Sequence, residues 1–325
     1  MDISRIFEIS SEQEFRSLAL EVFEFQYRLN PVYHRFCKYL QVSPDQVNSI
    51  TDIPFLPIEL FKTSKVLANG FETETSFSSS GTTGPNVSKH YIADLDLYKR
   101  SFRTTFGKFY GDIGQYSVLA LLPSYLERSD SSLIYMVSDL IEQSRSPESG
   151  FYLDDFKALA DQLKELDEAG KPILLIGVTF ALLDLAESYD LSLSNAIVME
   201  TGGMKGRKEE MIRAQVHQVL KDAWGIKQVH SEYGMTELLS QAYAVEDGIF
   251  HGPEWMQVLI RDTEDPKSYL AAGSTGGINV IDLANIYSCS FIATQDLGKS
   301  YANGGFEVLG RFDHSDIRGC NLMVV

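Results

Sequence analysis

Three short apolar runs, separated by helical patterns, constrain the fold of this chain more than any other feature. They are residues 118–122, 172–177 and 196–199, with predicted helices from Ser131 and over 154–168 between them. Runs of this kind are typical of strands that are buried on both faces. Buried strands that alternate with helices predict a parallel sheet with right-handed crossovers. Ligands of such sheets lie at the carboxyl ends of the strands.

A loop rich in hydroxyls and glycines, residues 78–89, is a candidate binding element. Its backbone N–H groups and side chains can form a concave nest for phosphate oxygens, because glycine permits close approach and positive φ. Its flanks, residues 73–77 and 90–92, have strand patterns and predict a hairpin. It is not a Walker A loop, which needs G-x-x-x-x-G-K-[ST] between a strand and a helix. Considered alone, an ordinary polar hairpin turn would be the better interpretation.

Three downstream segments change that interpretation: Tyr-Gly-Met-Thr-Glu at 233–237, Thr-Gln-Asp at 294–296 and Gly-Arg-Phe-Asp at 310–313. Together with the loop they resemble, in order and spacing, the signatures of the adenylate-forming superfamily. Within it the chain looks most like the acyl-protein synthetases of the bacterial bioluminescence fatty-acid reductase system. That resemblance covers nearly the whole chain. It rests on residues 54–57 with Phe61 and Lys62, and on residues 122–128, 200–207 and 318–321.

The resemblance implies a role for each matching residue. The β- and γ-phosphates of ATP would be held by Ser80, Gly81, Thr82, Thr83, Gly84 and Lys89. The rest of the nucleotide would be bound by Gly202, Gly203, Met204, Tyr233, Gly234, Asp296 and Arg311. Tyr233 would stack on adenine, and Asp296 would accept both ribose hydroxyls. Thr236 would touch the α-phosphate and Glu237 would bind Mg²⁺, which prefers one or two carboxylates with phosphate oxygens and water.

Three assignments have open alternatives: those of Lys89, Cys320 and His230. Lys89 follows Gly84 at a longer spacing than is usual in the superfamily, and a solvated lysine at a strand edge explains it nearly as well. Cys320 matches the cysteine that accepts the acyl group, and Arg318 could lower the pKa of its thiol. A buried, inert cysteine is the alternative. His230 either lines the acyl pocket or is a satisfied structural histidine.

The implied reaction is the ATP-dependent activation of a carboxylic acid to an acyl adenylate, with transfer to a protein thiol. The carboxylate is itself the nucleophile, so catalysis requires positioning and charge neutralisation rather than a general base. A fatty acid is expected by analogy, and an aryl acid, as in the phenylacetate ligase branch, is the alternative. The expected ligands are ATP or AMP and Mg²⁺. The expected partner is an acyl-acceptor protein such as a reductase or a carrier.

The expected fold is the α/β N-terminal domain of adenylate-forming enzymes, with parallel sheets, helices and a small β-rich subdomain. Residues 1–310 would form the AMP-binding core, and residues 311–325 a hinge at Asp313 with a short remnant, the C-terminal small domain being absent. That domain carries a lysine that aids adenylation. An alternative is therefore a catalytically reduced nucleotide-binding subunit that acts as a partner or scaffold. The retained Thr83, Glu237, Asp296 and Arg311 argue against it.

Composition excludes several other classes. The net charge of −17 disfavours nucleic acid and anionic membrane partners. The longest apolar stretch, residues 173–185, contains Asp184 and is too short for a membrane span. Three cysteines without C-x-x-C spacing, and an N-terminus without an apolar core, predict a soluble cytosolic protein.

Local patterns predict caps and turns. Ser11 with Glu14 and Asp94 are expected to start helices, and Thr179 is expected to cap the helix that follows the second apolar run. A short strand is expected at residues 228–230. Gly276 with Gly277 is expected to form a turn.

Overall fold

The computed structural model describes residues 1–79, 87–123, 130–202 and 211–312, which form a mixed α/β structure. The helices are α1 Glu12–Leu29, α2 Pro31–Tyr39, α3 Leu60–Thr63, α4 Leu95–Tyr110, α5 Ser132–Ser144, α6 Phe156–Glu168, α7 Thr179–Ser188 and α8 Arg213–Trp224. The strands are β1 Leu56–Pro57, β2 Thr75–Ser78, β3 Lys89–Ile92, β4 Ser117–Leu121, β5 Gly150–Phe151, β6 Ile173–Val178, β7 Ala196–Thr201, β8 His230–Tyr233, β9 Ala242–Ala244, β10 Met256–Arg261, β11 Thr275–Asp282, β12 Phe291–Ser300 and β13 Phe306–Arg311. Short 3₁₀ turns lie at Ile3–Glu8, Pro44–Gln46, Ile113–Gln115 and Leu283–Asn285.

The larger sheet has the order β5-β4-β6-β7-β8-β9. Its first five strands are parallel, and β9 runs antiparallel to β8. Every residue of β4 and β6 is buried, which is the pattern of parallel strands that are covered on both faces. The parallel sheet predicted from the apolar runs is therefore confirmed. The strand expected at residues 228–230 begins two residues later, at His230.

The second sheet has the order β1-β12-β11-β10, with β13 paired to β12. All of its pairings are antiparallel except the short parallel pair of β1 with β12. The turn expected at Gly276 and Gly277 is wrong, because both glycines lie inside β11. A Cβ atom at Gly277 would lie 2.5 Å from Arg261 Cζ, so the guanidinium occupies the space of a side chain. Glycine is needed here for packing rather than for a turn.

The predicted hairpin is present as β2 and β3, in an antiparallel register that pairs Ser78 with Lys89. Beyond that pair, the amide of Ser79 donates to the carbonyl of Ser88 at 3.0 Å. The amide of Ser88 donates to Ser79 Oγ at 3.2 Å. These bonds extend the pairing of the two strands by one residue on each side, to Ser79 and Ser88.

Two of the three predicted helix caps are confirmed. The side chains of Ser11 and Asp94 accept the amide hydrogens of Glu14 and Leu97, as N-cap residues do. Thr179 is not a cap. It is the first residue of α7, and its hydroxyl donates to the carbonyl of Gly202 and to Glu200. A contact with the neighbouring strand β7 has replaced the expected local one.

The amino-terminal helices pack on the second sheet. Buried Gln26 of α1 donates to the carbonyls of Asn285 and Ile286, and Tyr33 of α2 stacks on Phe291 of β12. These contacts join chain segments more than 250 residues apart. Among the residues described, no helix is long and apolar enough to cross a membrane.

Candidate active site

Three of the predicted site residues meet where the two sheets adjoin. Tyr233 is the last residue of β8, Asp296 lies in β12, and Arg311 is the cross-strand partner of Asp296 at the end of β13. The Tyr233 hydroxyl donates to Asp296 Oδ2 at 2.9 Å, and Arg311 Nε donates to Asp296 Oδ1 at 3.3 Å. Asp296 is 6% exposed, whereas the Arg311 side chain is 77% exposed and free to contact a ligand. Burial, reinforced by the charge of Asp296, raises the pKa of Tyr233 well above its usual value.

Glu237 lies in the turn that follows β8, next to the loop end of the β2–β3 hairpin. It is 6% exposed and accepts a hydrogen bond from Ser88 Oγ, one residue before β3. Burial raises the pKa of Glu237, and the Ser88 bond and the charges of Arg311 and Lys62 oppose that shift. The carboxylate therefore lies beside Ser88 and within the influence of the charges of Arg311 and Lys62. The structure thus brings Glu237 of the 233–237 motif to Ser88 of segment 78–89, which sequence analysis linked only by resemblance.

A buried histidine holds this turn in place. His90 of β3 is fully buried, and its Nδ1 donates to the carbonyl of Thr236 at 2.8 Å. Its Nε2 lies 3.0 Å from Asn285 Oδ1, and Asn285 Nδ2 donates to the carbonyl of Glu237 at 2.7 Å. Sequence analysis assigned no role to Ser88, His90 or Asn285. The alternation of inward and outward residues along β3 could have indicated that His90 faces inward.

Lys89 is not brought to these residues. It lies between Ser88 and His90 in β3, so its side chain projects from the other face of the strand. It is exposed, and its Nζ lies 5.8 Å from the centroid of the Tyr91 ring. Its assignment to the phosphates stays a prediction.

Two glycines of the predicted site, Gly202 and Gly234, lie among the described residues. Gly202 follows β7 with φ of +71°, a conformation that favours glycine, and its carbonyl accepts from Thr179. Gly234 follows Tyr233, where a Cβ atom would lie 2.5 Å from Glu232 Oε1. The remaining predicted residues lie outside the described residues: Ser80, Gly81, Thr82, Thr83, Gly84, Gly203, Met204, Asp313, Arg318 and Cys320.

A second network joins the large sheet to β13. Buried Glu200 of β7 accepts from Arg213 Nε at 3.0 Å, and Arg213 Nη1 donates to the carbonyl of Val308 at 2.9 Å. His217 of α8 lies 3.8 Å from the same carboxylate. Burial favours a higher pKa for Glu200, but the contact with His217 and the charge of Arg213 outweigh it and lower the pKa. This network ties β7 and α8 to the strand that carries Arg311.

Glu232 precedes Tyr233 and points to the opposite face of β8. It is 8% exposed and accepts from Thr201 Oγ1 at 2.6 Å. Burial, with a further contribution from Glu200, raises its pKa to about 7. On the same face, His230 Nδ1 lies 3.3 Å from the Tyr110 hydroxyl, and burial lowers the pKa of His230 to about 4. His230 is therefore neutral at pH 7, with a tyrosine as its partner.

Glu237 fits a magnesium ion that is shared with a ligand. Within the described ranges, no group of three or more histidine, cysteine, aspartate or glutamate side chains could hold a metal by itself. Mg²⁺ commonly uses one or two carboxylates, with phosphate oxygens and water completing its shell. A buried carboxylate whose pKa is raised by desolvation would be stabilised by such a cation. The donor set therefore suits Mg²⁺ bound together with a phosphate-bearing ligand.

Comparisons with known proteins agree with the sequence motifs. The family model of acyl-protein synthetase LuxE matches residues 3–96. The amino-terminal part of the chain is similar to LuxE. A long-chain-fatty-acid–luciferin-component ligase of Photorhabdus luminescens is 36% identical over 70 residues, which are 21% of this chain and 60% of that protein. The predicted resemblance to the acyl-protein synthetases is confirmed over this part.

Solved structures extend the fold comparison over most of the chain. A 2-hydroxyisobutyryl-CoA ligase in complex with 2-HIB-AMP and CoA superposes with a TM-score of 0.67 at 13% identity, covering 93% of this chain and 70% of that one. ATP-bound MatB of Rhodopseudomonas palustris gives 0.56 at 18% identity, covering 74% of this chain and 48% of that one. The fold is that of the adenylate-forming enzymes, as expected from the motifs. The chain matches only about half the length of MatB.

Proposed function

We propose that this chain activates a carboxylic acid with ATP, forming an acyl adenylate and pyrophosphate. The observation that carries the proposal is the meeting of Tyr233, Asp296 and Arg311, which come from three separate motifs. Asp296 has a buried carboxylate that can accept two ribose hydroxyls, and Arg311 has an exposed guanidinium beside it. Tyr233 would pack on the adenine and Thr236 would contact the α-phosphate.

The proposed reaction needs no proton transfer. A carboxylate oxygen of the acid attacks the α-phosphorus of ATP, and a new P–O bond forms. The bond from the α-phosphorus to the oxygen that bridges to the β-phosphorus breaks, and pyrophosphate leaves with that electron pair. The protein contributes alignment of the two reactants and stabilisation of the charge on the phosphates. Arg311, and by the resemblance Ser80, Gly81, Thr82, Thr83, Gly84 and Lys89, would supply that stabilisation.

Glu237 would hold a Mg²⁺ ion on the triphosphate. The ion supplies charge neutralisation to the phosphates. Ser88 orients the carboxylate from one side, and Asn285 and His90 fix the backbone of its turn. Ser88 closely follows residues 80–84, which would bind the β- and γ-phosphates, so its contact with Glu237 supports this assignment. Gly202, Gly203 and Met204 would border the other side of the adenine.

We further propose that the acyl group passes to a protein thiol. A thiolate attacks the carbonyl carbon of the adenylate, the thioester forms, and AMP leaves with the electron pair of the broken C–O bond. Cys320, or a cysteine of an acceptor protein such as a reductase or carrier, would provide the thiolate. The LuxE family match and the name of the Photorhabdus relative support this step, and they support a fatty acid as the substrate. We also propose that residues 1–310 form the AMP-binding core and that residues 311–325 form the hinge and a short remnant.

Acid-dependent exchange of labelled pyrophosphate into ATP tests the activation step. We expect exchange that requires Mg²⁺ and one class of acid in a panel of fatty and aryl acids. Absence of exchange with every acid, while ATP still binds, would contradict adenylation and favour a nucleotide-binding partner subunit.

The thiol step is tested by radiolabelled acid on denaturing gels. C320S should retain exchange and lose a base-labile label on its own chain, and a label that persists would place the acceptor elsewhere.

A further inference from the structure

The proposed adenylation leaves a group of buried polar side chains beside Tyr233 without a role. Glu232 of β8 pairs directly with Tyr243 of β9, so their side chains lie on the same face of the sheet. Gln241 precedes β9 on the same edge. We call Glu232, Gln241 and Tyr243 the Glu232 cluster. Their exposed fractions are 8%, 4% and 1%, so water reaches them poorly.

The hydrogen bonds of the Glu232 cluster are incomplete within the part of the chain that the structure describes. Glu232 Oε2 accepts from Thr201, and no described residue donates to Oε1. Gln241 Oε1 is buried and has no hydrogen-bond partner. The Tyr243 hydroxyl donates to no described residue, and the Tyr243 ring packs edge-on against the rings of Phe106, Phe109 and Tyr110. Buried polar groups are nearly always paired. The unpaired Gln241 Oε1, beside two further polar atoms that lack a described partner, therefore indicates a bound molecule.

The Glu232 cluster borders the site of the proposed chemistry. A Cβ atom at Gly234 would lie 2.5 Å from Glu232 Oε1 and 3.5 Å from Gln241 Cγ, so both side chains flank that glycine. Gly234 lies between Tyr233, assigned to the adenine, and Thr236, assigned to the α-phosphate. The acid's carboxylate must reach the α-phosphorus. The remainder of the acid can therefore extend toward Glu232.

Among the residues that the structure describes, none supplies a cation that pairs with Glu232. Glu232 forms no salt bridge with a described residue, and the nearby Glu200 repels it. His230 is neutral because burial lowers its pKa to about 4. Two tyrosines of α4 lie close by, but the Tyr98 hydroxyl donates to the carbonyl of Ser132 and that of Tyr110 pairs with His230. A plain alkyl chain in this place would leave the carboxyl desolvated and unpaired, which is unfavourable.

We propose that the Glu232 cluster binds the chain of the substrate acid, and that this acid carries a hydroxyl or amino group that donates to Glu232. This inference rests on the proposed adenylation and narrows its substrate to a hydrogen-bond-donating acid. If the group is an amine, Gln241 Oε1 can accept a second of its hydrogens. If it is a hydroxyl, the Tyr243 hydroxyl can donate to its oxygen. A site built to bond a substrate hydroxyl or amine rejects the analogue that lacks it far more strongly than an apolar pocket rejects an extra group.

The test uses matched acids of equal length: an unsubstituted acid, and versions with a hydroxyl or an amino group at the α, β, γ or terminal carbon. We measure kcat/KM for pyrophosphate exchange with each. One donor-bearing acid should exceed its unsubstituted counterpart by about a hundredfold. A larger gain in kcat/KM with the amino version than with the hydroxyl version would identify the donor as an amine. A larger gain with the hydroxyl version would identify it as a hydroxyl. Equal or better exchange with unsubstituted acids would overturn the inference and leave the proposed adenylation standing.

Variants assign the preference to the Glu232 cluster. E232Q keeps the acceptor for Thr201 and removes the carboxylate, and it should reduce the preference at least tenfold while the melting temperature shows a folded protein. Y243F, which keeps the aromatic packing, should reduce it severalfold, and E165Q on the exposed face of α6 should leave it unchanged. An unchanged preference in both E232Q and Y243F would overturn the inference. If no acid supports exchange, calorimetry measures the affinities of the same acids for wild type and E232Q. Tighter binding of a donor-bearing acid than of its unsubstituted counterpart, weakened in E232Q, would support the inference even though the proposed adenylation had failed. Equal affinities would overturn the inference.

Discussion

Replacement of Glu237 should separate the proposed catalysis from folding. Its carboxylate is buried beside Ser88 and within the field of Arg311 and Lys62. Gln has the same size and can keep the contact with Ser88, but it lacks the charge that a magnesium ion requires. E237Q should therefore lower pyrophosphate exchange by about a hundredfold or more and change the free energy of unfolding by less than about 1 kcal/mol. Exchange kinetics and urea unfolding measure the two effects.

The matched control is E264Q, which makes the same change at an exposed turn. It should alter neither quantity. Exchange by E237Q at the wild-type rate would remove Glu237 from the magnesium site. A loss of exchange that came with unfolding would assign the residue to stability instead.

Glu232 should make the free energy of unfolding depend on pH. Its pKa is raised from an ordinary 4.5 to about 7, so the folded chain holds this proton more tightly than the unfolded chain. Its contribution to stability is therefore fully present below about pH 4.5 and is lost as the pH rises through about 7. The loss amounts to ~3 kcal/mol. E232Q has no such titration.

Urea unfolding of wild type and E232Q at intervals from pH 4.5 to pH 8 tests this. The stability of E232Q relative to wild type should increase across that range, and E165Q should run parallel to wild type. A constant difference between E232Q and wild type would show that the carboxyl titrates alike in both states.

At the scale of elements, substitution by alanine should have opposite effects on the stability of the fold at two glycines. Gly298 of β12 is buried, and a Cβ atom there would lie 2.3 Å from the backbone oxygen of Glu307 in β13. That oxygen cannot move without shifting the strand that carries Arg311. G298A should therefore destabilise the fold by about 1–3 kcal/mol. Gly107 of α4 is exposed, with nothing within 4 Å of the same position, so G107A should stabilise by about 0.5–1 kcal/mol.

Thermal and urea unfolding of the two variants provide the comparison. G298A should also weaken ATP binding, because Arg311 lies on the displaced strand, whereas G107A should not. A G298A protein as stable as wild type would show that β12 and β13 separate at little cost.

Elements defined by local patterns were predictable, and those defined by distant contacts were not. The apolar run at 172–177 and the alternation around Lys89 carry their information within a few residues, so β6 and the β2–β3 hairpin followed from sequence. Thr179 was expected to cap its own helix, but Glu200 and the carbonyl of Gly202 bind its hydroxyl. Gly277 was expected in a turn, but Arg261 of the adjacent strand fills the space beside it.

The candidate site shows the same division. Tyr233, Glu237, Asp296 and Arg311 stand in motifs that can be recognised in one sequence. Ser88 and Asn285 act on Glu237 from 149 and 48 residues away. No spacing rule connects such positions, so only the folded chain shows that they support the motif.

At the scale of the whole molecule, the net charge of −17 bears on how an anionic nucleotide binds. A protein of this charge repels ATP at long range, and a magnesium ion on the triphosphate reduces the charge that must approach. We therefore expect MgATP to stabilise the chain much more than ATP with a chelator. A ligand at a hundred times its dissociation constant adds about 2.7 kcal/mol to the free energy of unfolding. For a chain of this size that corresponds to a rise of roughly 5 °C in Tm. Thermal melts at matched ionic strength measure both shifts, with magnesium alone as the control.

E237Q should lose most of the difference between the two nucleotide conditions, because it lacks the carboxylate proposed to hold the ion. Equal shifts with and without magnesium in wild type would mean that the side chains around Arg311 neutralise the nucleotide by themselves.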